Sequence, residues 1–162
     1  MSMIGFFNRM STHAAATLVA DPACQDAFFQ RSIGDFPEAL DVDKAWHAIH
    51  FALAGRAWPD EGASSLVIFG GEPFGEDLGY GPARLISAAD VQAAAAVLAD
   101  KDPQAVARQL DLSRLDEEDV YPGSWSDDDA ASRDYIAYHF DRLRSFYGEA
   151  ASKNEAVVVW MS

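Results

Sequence analysis

Leu40-Asp41-Val42-Asp43-Lys44-Ala45-Trp46-His47-Ala48-Ile49-His50-Phe51-Ala52-Leu53-Ala54-Gly55 is the stretch whose reading decides the fold. It is apolar almost all the way round, broken by two histidines and acids, so it predicts a helix at the centre of the molecule and not on its surface. Asp41 or Asp43 is the expected cap and Gly55 the expected end. On a helical wheel Val42, Trp46, Ile49 and Leu53 form one stripe. Asp43, His47, His50 and Ala54 fall on the adjacent face at spacings of four, three and four.

Working towards the N-terminus, Gly34 and Pro37 mark a loop. Asp21-Pro22 opens a helix running to Ser32, with Asp as cap and Pro at the first helical position. Ser11-Thr12 caps a helix to Ala20, and Met3–Phe7 reads as a first strand. The start of the chain has no basic region and no long apolar run of the signal-peptide kind.

Towards the C-terminus, Trp58-Pro59-Asp60-Glu61-Gly62 is an exposed turn, and Ser65–Phe69 is a short apolar run expected to be a strand. Gly70 to Pro82 is expected to be a long glycine-rich loop, and Ala83–Ile86 a second short strand. Ser87 caps a helix to Asp100, and Asp102-Pro103 opens another to Leu110. Residues 116–129 carry seven acids and no base. Ser126 and Asp129 are candidate caps for the longest helix, which should reach Gly148 with Ile136, Phe140, Leu143 and Tyr147 inward. Ala156–Met161 is a β-branched run expected to be a buried last strand, pairing with the first. The expected class is α+β: one domain over residues 1–162, a small mixed or antiparallel sheet packed against several helices.

With 162 residues the chain is long enough for one core burying roughly 70% of the unfolded surface. No apolar run approaches the roughly 18 residues that span a bilayer. The net charge of −14, from few and scattered Lys and Arg, argues against nucleic acid and against anionic membrane surfaces. It suits solubility, a basic protein partner or cation binding. The single cysteine, Cys24, excludes an internal disulfide and fits a cytoplasmic setting. Near a helix start Cys24 is either an activated thiolate or a small packed residue, and packing is the commoner role.

Three constellations are candidates for function. Asp43 one turn before His47 can orient an imidazole base, with His50 as partner. There is no His-Glu-x-x-His signature, so no metal is expected, and no cofactor either. Gly70 and Gly75 have phosphate-loop spacing, but Glu76 and Asp77 stand where Lys and Ser/Thr are required, which removes the nucleotide reading. Glu76, Asp77, Tyr80 and Arg84 remain candidates for a pocket rim. In the acidic window, Tyr121 and Trp125 with Asp127 and Asp128 form a candidate partner surface. The alternative for those aromatics is packing back on the core.

Several of these stretches occur together in a known family. Met3-Ile4-Gly5, Leu40 through Phe51, Gly75 through Arg84, Tyr121-Pro122 with Trp125, and an aromatic-rich last helix before a Val-rich end carry the similarity. On them the chain resembles the YfbM-like family of small bacterial proteins of unknown function. The resemblance implies a single-domain bacterial α+β protein. It supplies no activity, cofactor or catalytic residue. The residues themselves favour a non-enzymatic binding protein, inhibitor- or immunity-like, with an acidic docking surface. The alternative is a small hydrolase or transferase using Asp43-His47 as an oriented base in a pocket covered by the glycine-rich loop.

Overall fold

A computed structural model describes residues 2–162. In chain order the elements are β1 (Gly5–Met10), α1 (Thr12–Ala20), α2 (Pro22–Phe29), a 3-10 turn (Ile33–Asp35), β2 (Ala39–Asp41), α3 (Trp46–Ala54), α4 (Ala63–Phe69), β3 (Glu72–Asp77), β4 (Pro82–Ile86), α5 (Ala88–Ala99), α6 (Pro103–Gln109), α7 (Leu112–Glu117), α8 (Asp129–Ser152) and β5 (Ala156–Met161). The strands form one sheet, in the order β2-β1-β5-β4-β3, with every neighbouring pair antiparallel. The fold is α+β, as expected.

The last strand pairs with the first over the register Gly5↔Met161 to Met10↔Ala156, with β5 at the centre of the sheet and β1 beside it. Its run of valines is apolar on both faces for a reason. Val157 and Val159 enter the main core, while Val158 and Trp160 pack on the opposite side. On the first side Phe7 meets Phe146 and Tyr147 of α8, beside α3, α4 and α5. On the second, Leu18, Phe28 and Phe29 of α1 and α2 cover Phe74, Val158 and Trp160. A further apolar cluster joins α3, α7 and α8 through Phe51, Leu115, Trp125 and Ile136.

Local signals set most helix starts. The side chains of Ser11, Asp21, Ser87 and Asp102 each accept a backbone N–H from the first turn they cap. Gly55 ends α3 in the left-handed conformation, at φ +72°. The last helix is capped by Asp128, between the two expected residues, and continues beyond Gly148 to Ser152.

Four expectations are corrected. Leu40 and Asp41 belong to an edge strand, paired with Phe7 and Phe6, and α3 begins only at Trp46 without a side-chain cap. The first strand lies at Gly5–Met10, shifted from Met3–Phe7. Ser65–Phe69 is helical, because Val67 and Ile68 reach the main core from one turn and the buried Tyr147 hydroxyl donates to the Val67 carbonyl at 2.6 Å. A short apolar run is equally compatible with strand or helix. The glycine-rich stretch is half strand: β3 pairs with β4 in a hairpin with an irregularity between Phe74 and Asp77. Gly71 permits it, at φ +88°, where any side chain would collide with the Leu85 carbonyl.

Candidate functional site

The Asp43–His47 pairing is not formed. Asp43 sits before the helix at φ +47°, and its carboxylate accepts a hydrogen bond from the Tyr135 hydroxyl at 2.9 Å. Spacing by one helical turn therefore does not apply to it. His47 is 1% exposed. Its Nδ1 accepts from the Tyr121 backbone N–H at 2.9 Å, so the ring proton sits on Nε2, which donates to the Ala57 carbonyl at 2.7 Å. Burial holds its pKa below 6.5, opposed by the Ala57 bond. Both nitrogens are committed to backbone, and the ring is neutral. His50 is fully buried edge-on to Phe69, and neither of its nitrogens has a hydrogen-bond partner. Burial lowers its pKa too, with the nearby Trp58 carbonyl opposing. Among the described residues no group of three or more His, Cys, Asp or Glu could hold a metal ion.

The glycine-rich candidates divide. Asp77 closes the hairpin by accepting the Gly79 and Gly81 N–H groups at 2.6 and 3.1 Å. Arg84 fastens the strand entry by donating to the carbonyls of Gly70 and Gly71 at 3.2 and 2.7 Å. Glu76 is exposed and lines no cavity described below. Tyr80 alone joins His47 around a common space.

The acidic window divides as well, and this corrects the expected partner surface. Trp125 is only 4% exposed. Its indole Nε1 donates to the Val120 carbonyl at 2.8 Å and its backbone N–H to Asp116 at 2.7 Å. It belongs to the core cluster of α3, α7 and α8. Asp128 is occupied as the α8 cap, and Asp127 is exposed. Tyr121 turns inward: its ring stacks on Trp46 with centroids 5.8 Å apart, and its hydroxyl accepts the Met3 N–H at 2.9 Å.

The residues that do converge surround a cavity of about 590 Å³, within the usual ~300–1,000 Å³ of small-molecule sites. Its wall is aromatic: Trp46, His47, Trp58, Phe69, Tyr80 and Tyr121. His47 lies flat on Trp46 at 4.7 Å between centroids and faces Trp58 at 5.2 Å. Trp58 and Tyr80, at 66% and 38% exposed, are two of the few large apolar side chains left in solvent, and both edge this space. Among the described residues Asp116 and Asp119 are the charged groups of the wall, and no Lys or Arg lines it. Burial raises the Asp116 pKa, but hydrogen bonds from the Ser126 side chain and backbone and from Trp125 outweigh it and hold the carboxyl below its usual value, hence ionised. An aromatic wall with carboxylates and no Lys or Arg attracts a cation.

Sequence reading missed Trp58, Phe69, Asp116 and Asp119 as partners of Tyr80 and Tyr121. The available signal was a tryptophan in a turn marked as exposed. A second cavity, of about 610 Å³, lies among α1, α2 and β1, with Cys24 on its wall. The Cys24 thiol donates to the Asp21 carboxylate at 3.3 Å, which raises its pKa; the activated-thiolate reading has no basis there. No helix among the described residues is long and apolar enough to cross a membrane.

Residues 1–160 match the family described as "Domain of unknown function (DUF1877)", and the chain belongs to that family. Its fold is similar to that of a solved protein of unknown function, YfbM from Escherichia coli, with a TM-score of 0.75 over 99% of this chain and 100% of that one, at 21% identity. No curated protein matches it.

Proposed function

We propose that this member of the DUF1877 family is a non-enzymatic binding protein whose aromatic cleft receives a cationic side chain from a basic protein partner. One observation carries the reading: an open aromatic cavity with two carboxylates and, among the described residues, no Lys or Arg in its wall. Cations are drawn to ring faces, by about 0.5–2 kcal/mol each depending on desolvation. The net charge of −14 adds long-range attraction for a basic surface. A bacterial, cytoplasmic setting belongs to the same reading and rests on the family likeness and the single cysteine. The hydrolase or transferase reading lacks its oriented base, because both His47 nitrogens are bonded to backbone and the Asp43 carboxylate is bonded to Tyr135.

Fluorescence anisotropy of a labelled lysine-rich peptide tests this. The protein should bind it and leave a glutamate-rich peptide of equal length free. Trp58→Ala and Asp119→Asn should each weaken binding, by about tenfold if a desolvated cation–π contact or ion pair is lost. Asn tolerates the left-handed backbone at Asp119, φ +54°, so that variant removes charge without strain. Unchanged affinity in both variants would place the site elsewhere and overturn the proposal.

A further inference from the structure

The polar edges of the cleft are turned away from it. Trp46 spends its indole Nε1–H on the Met3 carbonyl at 3.0 Å, and the Tyr121 hydroxyl takes the Met3 N–H. Both His47 nitrogens are held by backbone. Asp116 receives Trp125 N–H on one oxygen and both the N–H and hydroxyl of Ser126 on the other. What these side chains offer an occupant is ring surface and negative field, with little capacity to accept hydrogen bonds. The Asp119 carboxylate and the exposed Tyr80 and Ser124 hydroxyls remain at the rim.

That inventory discriminates among cations. A primary ammonium or a guanidinium leaving water must have its N–H groups accepted, and each one left unmet costs free energy. A fully methylated ammonium has no N–H to satisfy, is weakly hydrated, and spreads its charge over methyl groups that sit well on aromatic rings. Resting on the cationic reading of the cleft, we infer that its ligand is a quaternary ammonium, presented as a methylated lysine side chain of the partner, in preference to an unmodified lysine.

The experiment uses the full chain and two pairs of probes. Intrinsic tryptophan fluorescence is titrated with tetramethylammonium chloride and with ammonium chloride at matched ionic strength. One lysine peptide is then compared with the same peptide carrying a single trimethyllysine. Tetramethylammonium should give a saturable change that ammonium does not, and that Trp58→Ala abolishes. The trimethylated peptide should bind about tenfold more tightly than the unmodified one, and tetramethylammonium should compete with it. Equal affinity for the two peptides, or tighter binding of the unmodified one, overturns the methyl preference and leaves the basic-partner reading standing. Saturation by tetramethylammonium with neither peptide bound keeps the quaternary ammonium and overturns the protein partner. No binding by any probe overturns both.

Discussion

The turns that carry Trp58 and Trp125 begin from similar sequence. Each places a tryptophan beside a turn-forming residue and among acids: Trp58-Pro59-Asp60-Glu61 in one, Gly123-Ser124-Trp125-Ser126-Asp127 in the other. In the fold they part completely. Trp125 is buried, with its indole N–H on Val120 and Asp116 gathering the backbone beside it. Trp58 remains two-thirds exposed over a cavity. His47 stands between them, accepting from Tyr121 in the second turn and donating to Ala57 in the first. The lesson is that acidic surroundings do not decide where an aromatic goes. The neighbours decide it: Trp125 finds Phe51, Leu115 and Ile136, whereas Trp58 borders an open cavity.

The contrast can be broken most forcefully at Trp125. Trp125→Ala should cost about 3–5 kcal/mol of stability, as buried large aromatics do, read from urea unfolding. A loss below 1 kcal/mol, on the order of a surface substitution, would place Trp125 with Trp58 and erase the distinction. Next comes the link itself. His47→Leu leaves the Ala57 carbonyl and the Tyr121 N–H without partners, at about 1–3 kcal/mol per buried group; hydrogen exchange at the Tyr121 amide should accelerate along with the loss in urea.

Acid should loosen the same link without mutation. The folded pKa of His47 lies below 6.5, so protons bind the unfolded chain more readily. The stability from its neutral form is full above that value and is lost as pH falls through it. His50 and His139 act in the same direction, each with burial as the main cause. The depressed aspartates, Asp116 among them, add their own loss only at lower pH, as pH falls below 3.8. Urea midpoints should therefore drop between about pH 7.5 and about pH 5.5, and less steeply in His47→Leu than in the parent. A flat profile would mean that the three imidazoles are not buried neutral. The smallest effect on stability belongs to Trp58→Ala, within about 0.5 kcal/mol, even though it should remove most peptide binding. A larger shift in melting temperature than in affinity would make Trp58 a second Trp125.

What was legible in the sequence was local, or so apolar that only one environment suits it. The caps at Ser11, Asp21, Ser87 and Asp102 act within a turn of themselves, and a window of a few residues contains the whole interaction. The Ala156–Met161 run is buried on both faces, hence its central position and its pairing with β1. Leu40-Asp41 was not legible as a strand, since its partners are Phe6 and Phe7, more than thirty residues away. Nor was β3, a strand of glycine, proline and acids sustained by β4. The Asp43–His47 spacing held only if both residues shared a helix, and a left-handed backbone at Asp43 ends that premise. The cleft draws its wall from Met3 to Met161, so no stretch of sequence contains it.

The central position of β5 has a kinetic side. The sheet consists of two antiparallel pairs, β1 with β2 and β3 with β4, and β5 is the strand that joins them. In chain order β5 follows all four of the other strands. Such long-range closure is slow, because distant segments must be brought together before their contacts reward it. Until then two strand edges stand open to other chains. A chain cut before Ala156 would lack the strand that joins the two pairs, and its open strand edges would make it a substrate for chaperones or proteases.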